Sequence, residues 1–248
     1  MTAHKRHFSL GASFGRDRGE GSCHDMLAER LGAESHNHCR DGAGNDSMIT
    51  EAMLWLARQE DLRGVTASVS VSNPYRHDMV SHLQLDTGEA GSRWGRWQAD
   101  RKQGALTLRR MAKDDRSRPW NIRLTYHVRY LTQILSLQNL FRSHGVPHIM
   151  WQVQRPRKGH YDTSAQAQIR MLERQVDTRH FYRMDHTQLD FVNQTQQWTD
   201  PTPLERPQTM GHATVWVKDE HPVRQCNQQW TDLLWQHHLE NNSLSQVD

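Results

Sequence analysis

The chain has 248 residues with 31 basic and 28 acidic side chains, a formal charge of +3, and 35% hydrophobic residues. That length accommodates one large α/β domain with a sizeable core, and the charge balance does not by itself call for nucleic acid or a membrane surface. No run of about 18 apolar residues is present for a membrane span, and Met1 to Leu10 lacks the apolar stretch of a secretory signal. Three cysteines, Cys23, Cys39 and Cys226, leave an odd thiol in place of a disulfide framework. The expected compartment is the reducing cytoplasm.

Residues 5–11 read as a first strand running into a glycine-bounded turn, and 22–31 as a helix with Ser22 as its N-cap and Gly32 as its stop. A second strand is predicted at 33–39, then a turn from Arg40 to Asn45. A helix follows from about Asp46, with Met48, Ile49, Ala52, Met53, Trp55 and Leu56 at helical spacing. Residues 65–71 (VTASVSV) alternate as a third strand, and Pro74 ends it. From 77 to 119 the pattern dissolves into a polar, basic insertion. Between Ser92 and Pro119 it carries nine Lys/Arg against three Asp, with Trp94 and Trp97 interleaved. The plain reading of that stretch is a solvated loop; the sharper ones are a lid over an anionic or glycan substrate, or a nucleic-acid patch.

A long helix is predicted over 120–143, with Ile122, Tyr126, Tyr130, Ile134, Leu137 and Phe141 on one face and Gly145 terminating it. A strand at 147–153, a helix at 164–176, less regular sequence to about 217 and a last helix at 223–239 complete the chain, with Cys226 as a small buried hydrophobe on that helix. Strands alternating with helices predict one domain, 1–248, of three-layer α/β/α type, with a central parallel sheet of about five strands as in flavodoxin-like folds.

In an open parallel sheet, sites form at the carboxyl ends of strands. After the first strand comes Gly11-Ala12-Ser13-Phe14-Gly15, where small neighbours let a serine hydroxyl sit exposed on a tight turn. The second turn offers Gly42, whose N–H can point into a cavity at a helix start. The third offers Asn73 as an amide donor to an oxyanion, with Tyr75 and Arg76 beside it as candidate substrate contacts. Near the C-terminus, Asp219-Glu220-His221-Pro222 places an acid two residues before a histidine, ahead of the final helix. His36 and His38 share a strand face while Cys39 points away, and with Cys23-His24 upstream they match no common zinc spacing, so no metal is expected.

This order of turns resembles the SGNH (GDSL-like) hydrolase family, over about His7 to Leu239, with 77–119 and parts of 155–215 unmatched. The resemblance implies a serine esterase without a cofactor. Ser13 would be the nucleophile, His221 the general base and Asp219 its orienter, with Gly42 and Asn73 as oxyanion donors and Asn45 as the competing asparagine. Asn45-Asp46 equally suits a helix N-cap. The implied substrate is a small-molecule or glycan ester, with no membrane partner and nucleic acid disfavoured.

Two departures bear on activity. The family's Gly-Asp-Ser is here Gly11-Ala12-Ser13, and its acid three residues before the histidine is replaced by Lys218, leaving Asp219 one residue closer. On this reading Ala12→Asp raises turnover with little change in stability if the turn faces solvent. The alternatives to an esterase are a weak or inactive SGNH-like binding module and a nucleic-acid-binding protein using 92–119.

Overall fold

Ser22 and Gly32 bound the first helix for separate local reasons. In the computed structural model, which describes residues 4–15, 21–40, 43–72, 119–156, 161–195, 208–210, 213–215 and 222–245, α1 spans Cys23–Leu31. The Ser22 hydroxyl accepts from the Asp25 N–H at 3.1 Å, satisfying one of the donors a helix start leaves open. Gly32 takes a left-handed φ of 59° that a side chain would resist. The next helix, α2 (Asn45–Ala57), begins one residue before the predicted start. Gly44 is its N-cap, so Asn45 and Asp46 are the first two helical residues.

Five strands form one parallel sheet: β1 (Arg6–Leu10), β2 (Glu34–Asn37), β3 (Val65–Val71), β4 (His148–Gln152) and β5 (Phe181–Tyr182), in the spatial order β2-β1-β3-β4-β5. The remaining helices are α3 (Pro119–Ser143), α4 (Thr163–Glu173), α5 (Gln188–Thr195) and α6 (Arg224–Asn241). Two further strands, β6 (Gln208–Met210) and β7 (Ala213–Val215), pair antiparallel as a separate ribbon. The chain is thus an α/β protein with a parallel sheet between helical layers. Among the described residues no helix is long and apolar enough to cross a membrane.

Period-two alternation divides the core between the two faces of the sheet. Phe8, Leu10, Val65, Ala67, Val69, Val71, Met150 and Phe181 pack with residues of α2 and α3, including Met48, Trp55, Tyr130, Ile134 and Phe141. On the opposite face Ile149, Trp151 and Tyr182 pack with Cys23 and Leu27 of α1 and with Trp230 and Leu234 of α6. Between those apolar residues and the β2 edge, the second face turns polar: His7, Ser9, Thr66, Ser68 and Ser70 project there and all are buried.

The sheet order fixes where a site can form. The connection leaving β1 leads outward to β2, whereas β3 lies on the other side of β1 and leads on towards β4. The turns after β1 and β3 therefore diverge, and a crevice opens at their carboxyl ends, the usual ligand position in such sheets.

Candidate functional site

Ser13 begins a short 3-10 turn, Ser13–Gly15, three residues after β1 ends at Leu10. The turn is closed by a hydrogen bond from the Gly15 N–H to the Ala12 carbonyl at 3.0 Å. The Asn37 amide at the end of β2 donates to the Gly15 carbonyl at 3.1 Å and to the Asp25 carboxylate at 3.0 Å. Ser13 itself is half-buried. Together with Ala12, Phe14, Ser72, Val153, Gln154 and Leu189 it lines a cavity of about 80 Å³. Most of these residues follow β1, β3 and β4, so the cavity occupies the crevice that the strand order creates.

The structure brings Ser13 to the same cavity as Ser72, the residue that precedes Asn73. Gly42, Asn73, Tyr75, Arg76, Asp219 and His221 lie outside the described residues, as does most of the predicted 77–119 insertion. The Arg40 N–H donates to the Gly11 carbonyl at 3.0 Å, which sets the chain that follows β2 against the one leaving β1. Pro222 is buried ahead of α6, which is tied to the start of α1 by the Asn227 amide, donating to the Gly21 carbonyl at 3.0 Å.

Asn45 is placed in full and has a bracing geometry. Its Oδ1 accepts from the Ser72 N–H at 2.7 Å, while its Nδ2 donates to the Ser72 carbonyl at 3.4 Å and to Gln133 Oε1 at 3.3 Å. With the side chain buried and its amide engaged this way, Asn45 clamps the end of β3 from the start of α2. Asp46 turns to α3 instead, where Arg129 pairs with it and Gln133 donates to it at 2.5 Å.

Beside Gly11 a second, smaller hollow of about 10 Å³ is lined by His38, Arg40, Ser47 and Glu51. His38 Nδ1 lies 2.9 Å from Glu51 Oε1, and that hydrogen bond, ahead of the nearby Arg40 charge, holds the Glu51 carboxyl below its usual range. Cys39 points to the other side of the sheet, where burial pushes its thiol well above the usual range. Burial likewise raises Cys23, to about 12, and Cys226. None of the three thiols is poised as a thiolate nucleophile. Among the described residues no three His, Cys, Asp or Glu side chains are grouped to hold a metal ion.

No protein-family model, curated protein or solved structure matches the chain. The site therefore stands on its own geometry.

Sequence reasoning missed what lies beneath the serine turn. A Cβ added at Gly15 would meet Cys39 Sγ at 2.6 Å and the His24 ring at 2.7 Å. Gly15 thus rests directly on His24 and Cys39, neither of which has room to withdraw in a buried cluster. Gly15→Ala is expected to cost about 2 kcal/mol by overpacking, seen as a lower urea midpoint with an unchanged slope. An unaltered midpoint would show that the turn yields freely.

Proposed function

We propose that this chain hydrolyses a carboxylic ester through an acyl-serine intermediate on Ser13, acting on a glycan or small-molecule O-acyl group. The observation that carries the reading is the position of Ser13, at the head of a tight turn on the wall of the crevice where the turns after β1 and β3 diverge. In this reading the Ser13 oxygen bonds to the ester carbonyl carbon while its proton passes to His221. Asp219 holds the imidazole, and the N–H groups of Gly42 and Ser13 with the Asn73 amide receive the oxyanion. Collapse breaks the C–O bond to the alcohol, which takes the proton from His221, and water repeats the sequence to release the acid. Asn73 carries the asparagine role here, because the Asn45 amide is spent on Ser72 and Gln133.

A fluorophosphonate probe tests this directly, since it phosphonylates an activated serine. The expected result is one labelled peptide containing Ser13, with labelling abolished in Ser13→Ala. Absence of label on folded protein would overturn the esterase reading in favour of a non-catalytic binding module.

A further inference from the structure

Two imidazoles are buried under the serine turn with no part in the proposed chemistry. His7 and His24 are fully buried, as are Ser9, Ser68 and Ser70. Ser68 Oγ lies 2.7 Å from His7 Nε2, 2.6 Å from His24 Nδ1 and 3.1 Å from Ser9 Oγ. At one end of this cluster His7 Nδ1 is 2.8 Å from Thr66 Oγ1. At the other, His24 Nε2 is 3.1 Å from Ser70 Oγ, which in turn donates to the Leu10 carbonyl at 3.4 Å.

Hydrogen-bond capacity fixes the direction of the whole chain. A buried hydroxyl has to donate to something, and among the described residues the Thr66 hydroxyl has only His7 Nδ1 and the Ser9 hydroxyl only Ser68. Thr66 therefore donates to His7, whose proton is then on Nε2 and goes to Ser68. With both lone pairs occupied by His7 and Ser9, Ser68 gives its single proton to His24 Nδ1. His24 accordingly carries its own proton on Nε2 and donates to Ser70, which passes its proton to Leu10. The reverse order strands the Thr66 proton and gives up the bond to Leu10. Burial opposes charge on both imidazoles; His7 adds to that effect at His24, while Asp25 partly offsets it at His7.

The chain ends at the serine turn. A Cβ on Gly11 would fall 2.0 Å from Ser70 Oγ and 3.3 Å from His24 Nε2, and one on Gly15 would fall 2.7 Å from His24 Nε2. Both glycines that bracket Ser13 are thus seated on the same edge of the same ring. We infer that His24 is a positioning residue for Ser13: a neutral Nε2–H imidazole, fixed by a one-way hydrogen-bond chain from Thr66 to Leu10, that seats the Gly11–Gly15 turn. This rests on the ester-hydrolysis reading of Ser13. The titratable groups around His24 among the described residues are His7 on β1, Cys39 beyond β2, and Cys23 and Asp25 on its own helix.

The test combines nitrogen-15 imidazole spectra of the full chain with the rate of fluorophosphonate labelling at Ser13. The spectra are expected to show His7 and His24 as neutral Nε2–H tautomers at pH 7. Ser68→Ala is expected to release His24 into a mixture of tautomers. His24→Phe, which keeps the bulk and loses both ring nitrogens, is expected to slow labelling by about tenfold to a hundredfold, the usual penalty for a displaced nucleophile. His24→Gln, which keeps a donor towards Ser70, is expected to recover most of that rate. Where Phe at this position prevents folding, Ser70→Ala makes the same comparison, because it removes the link between His24 and Leu10. An Nδ1–H or protonated His24 at pH 7, or folded His24→Phe or Ser70→Ala labelled at the parent rate, overturns the positioning role while leaving the esterase reading intact. A parent chain that does not label at Ser13 overturns both.

Discussion

Acidification from pH 7 to pH 4 is expected to remove about 3 kcal/mol of stability through His7 and a similar amount through His148, at about 1.4 kcal/mol for each tenfold change in proton affinity. Burial lowers both to about 4 from the ordinary 6.5, aided at His148 by the neighbouring His180 and opposed at His7 by Asp25. Because both folded values lie below the unfolded one, the unfolded chain takes up protons first. Stability is complete above pH 6.5 and falls steadily towards pH 4, and His24 acts in the same direction. The carboxyls of Asp61 and Asp177, held down to about 2 by Arg63 and Arg179, contribute only below their ordinary value of 3.8. Losses of this size approach the whole stability of a typical domain, about 5–15 kcal/mol. Urea unfolding at a series of pH values checks the slope, and His148→Phe should flatten it. A curve level from pH 6.5 to pH 4 would mean that these imidazoles are solvated or paired in the native protein.

Ala12→Asp is expected to cost about 3 kcal/mol at pH 7, since it forces an unpaired carboxylate into an apolar site. The sequence suggested the opposite, a gain in turnover with stability unmoved, on the condition that the turn faces solvent. Ala12 is 4% exposed and belongs to the apolar cluster of Phe8, Leu10 and Met48. The serine turn is held instead by apolar packing at Ala12, by Asn37 on the Gly15 carbonyl and by the His24 ring below. The new carboxyl would have a raised folded value, so its penalty is full at neutral pH and shrinks as pH falls, relative to the parent at each pH. Ala12→Asn separates charge from size. Equal losses in Asp and Asn would locate the penalty in volume, and a stable Ala12→Asp with faster ester hydrolysis would restore the original expectation.

The elements that sequence reasoning located are those whose local chemistry suffices. Ser22 and Gly32 bound a helix through their own caps, and the apolar residues of α3 repeat with the turn of a helix over many residues. β5 was missed because Phe181 and Tyr182 make a strand of two residues, too short to display a period. α5, with eight residues, was missed beside it. On α2, Met53 fits the apolar spacing yet is 55% exposed, because Met48, Ala52, Trp55 and Leu56 already fill the stripe that meets the core. At the candidate site, the serine turn and its place after β1 were legible, whereas the support beneath it was not. His7, His24 and Ser68 come from three separate elements and share no spacing. One signal was available: an interior parallel strand reads as continuous hydrophobic sequence when both faces are buried. The Thr66, Ser68 and Ser70 alternation within β3 therefore announced buried polar partners.

β3 also bears on how the protein fails. Val65–Val71 is a seven-residue strand with four β-branched residues and neither charge nor proline, a composition that favours stacked intermolecular sheets. In the folded chain it is held between β1 and β4, and the sheet margins offer little to a second chain. β5 is two residues long, and β2 exposes Glu34 and Ser35 at the opposite margin. This segment is therefore shielded by folding itself. Once acid opens the sheet, that shield is gone, and precipitation would follow global unfolding rather than addition of chains to an intact edge.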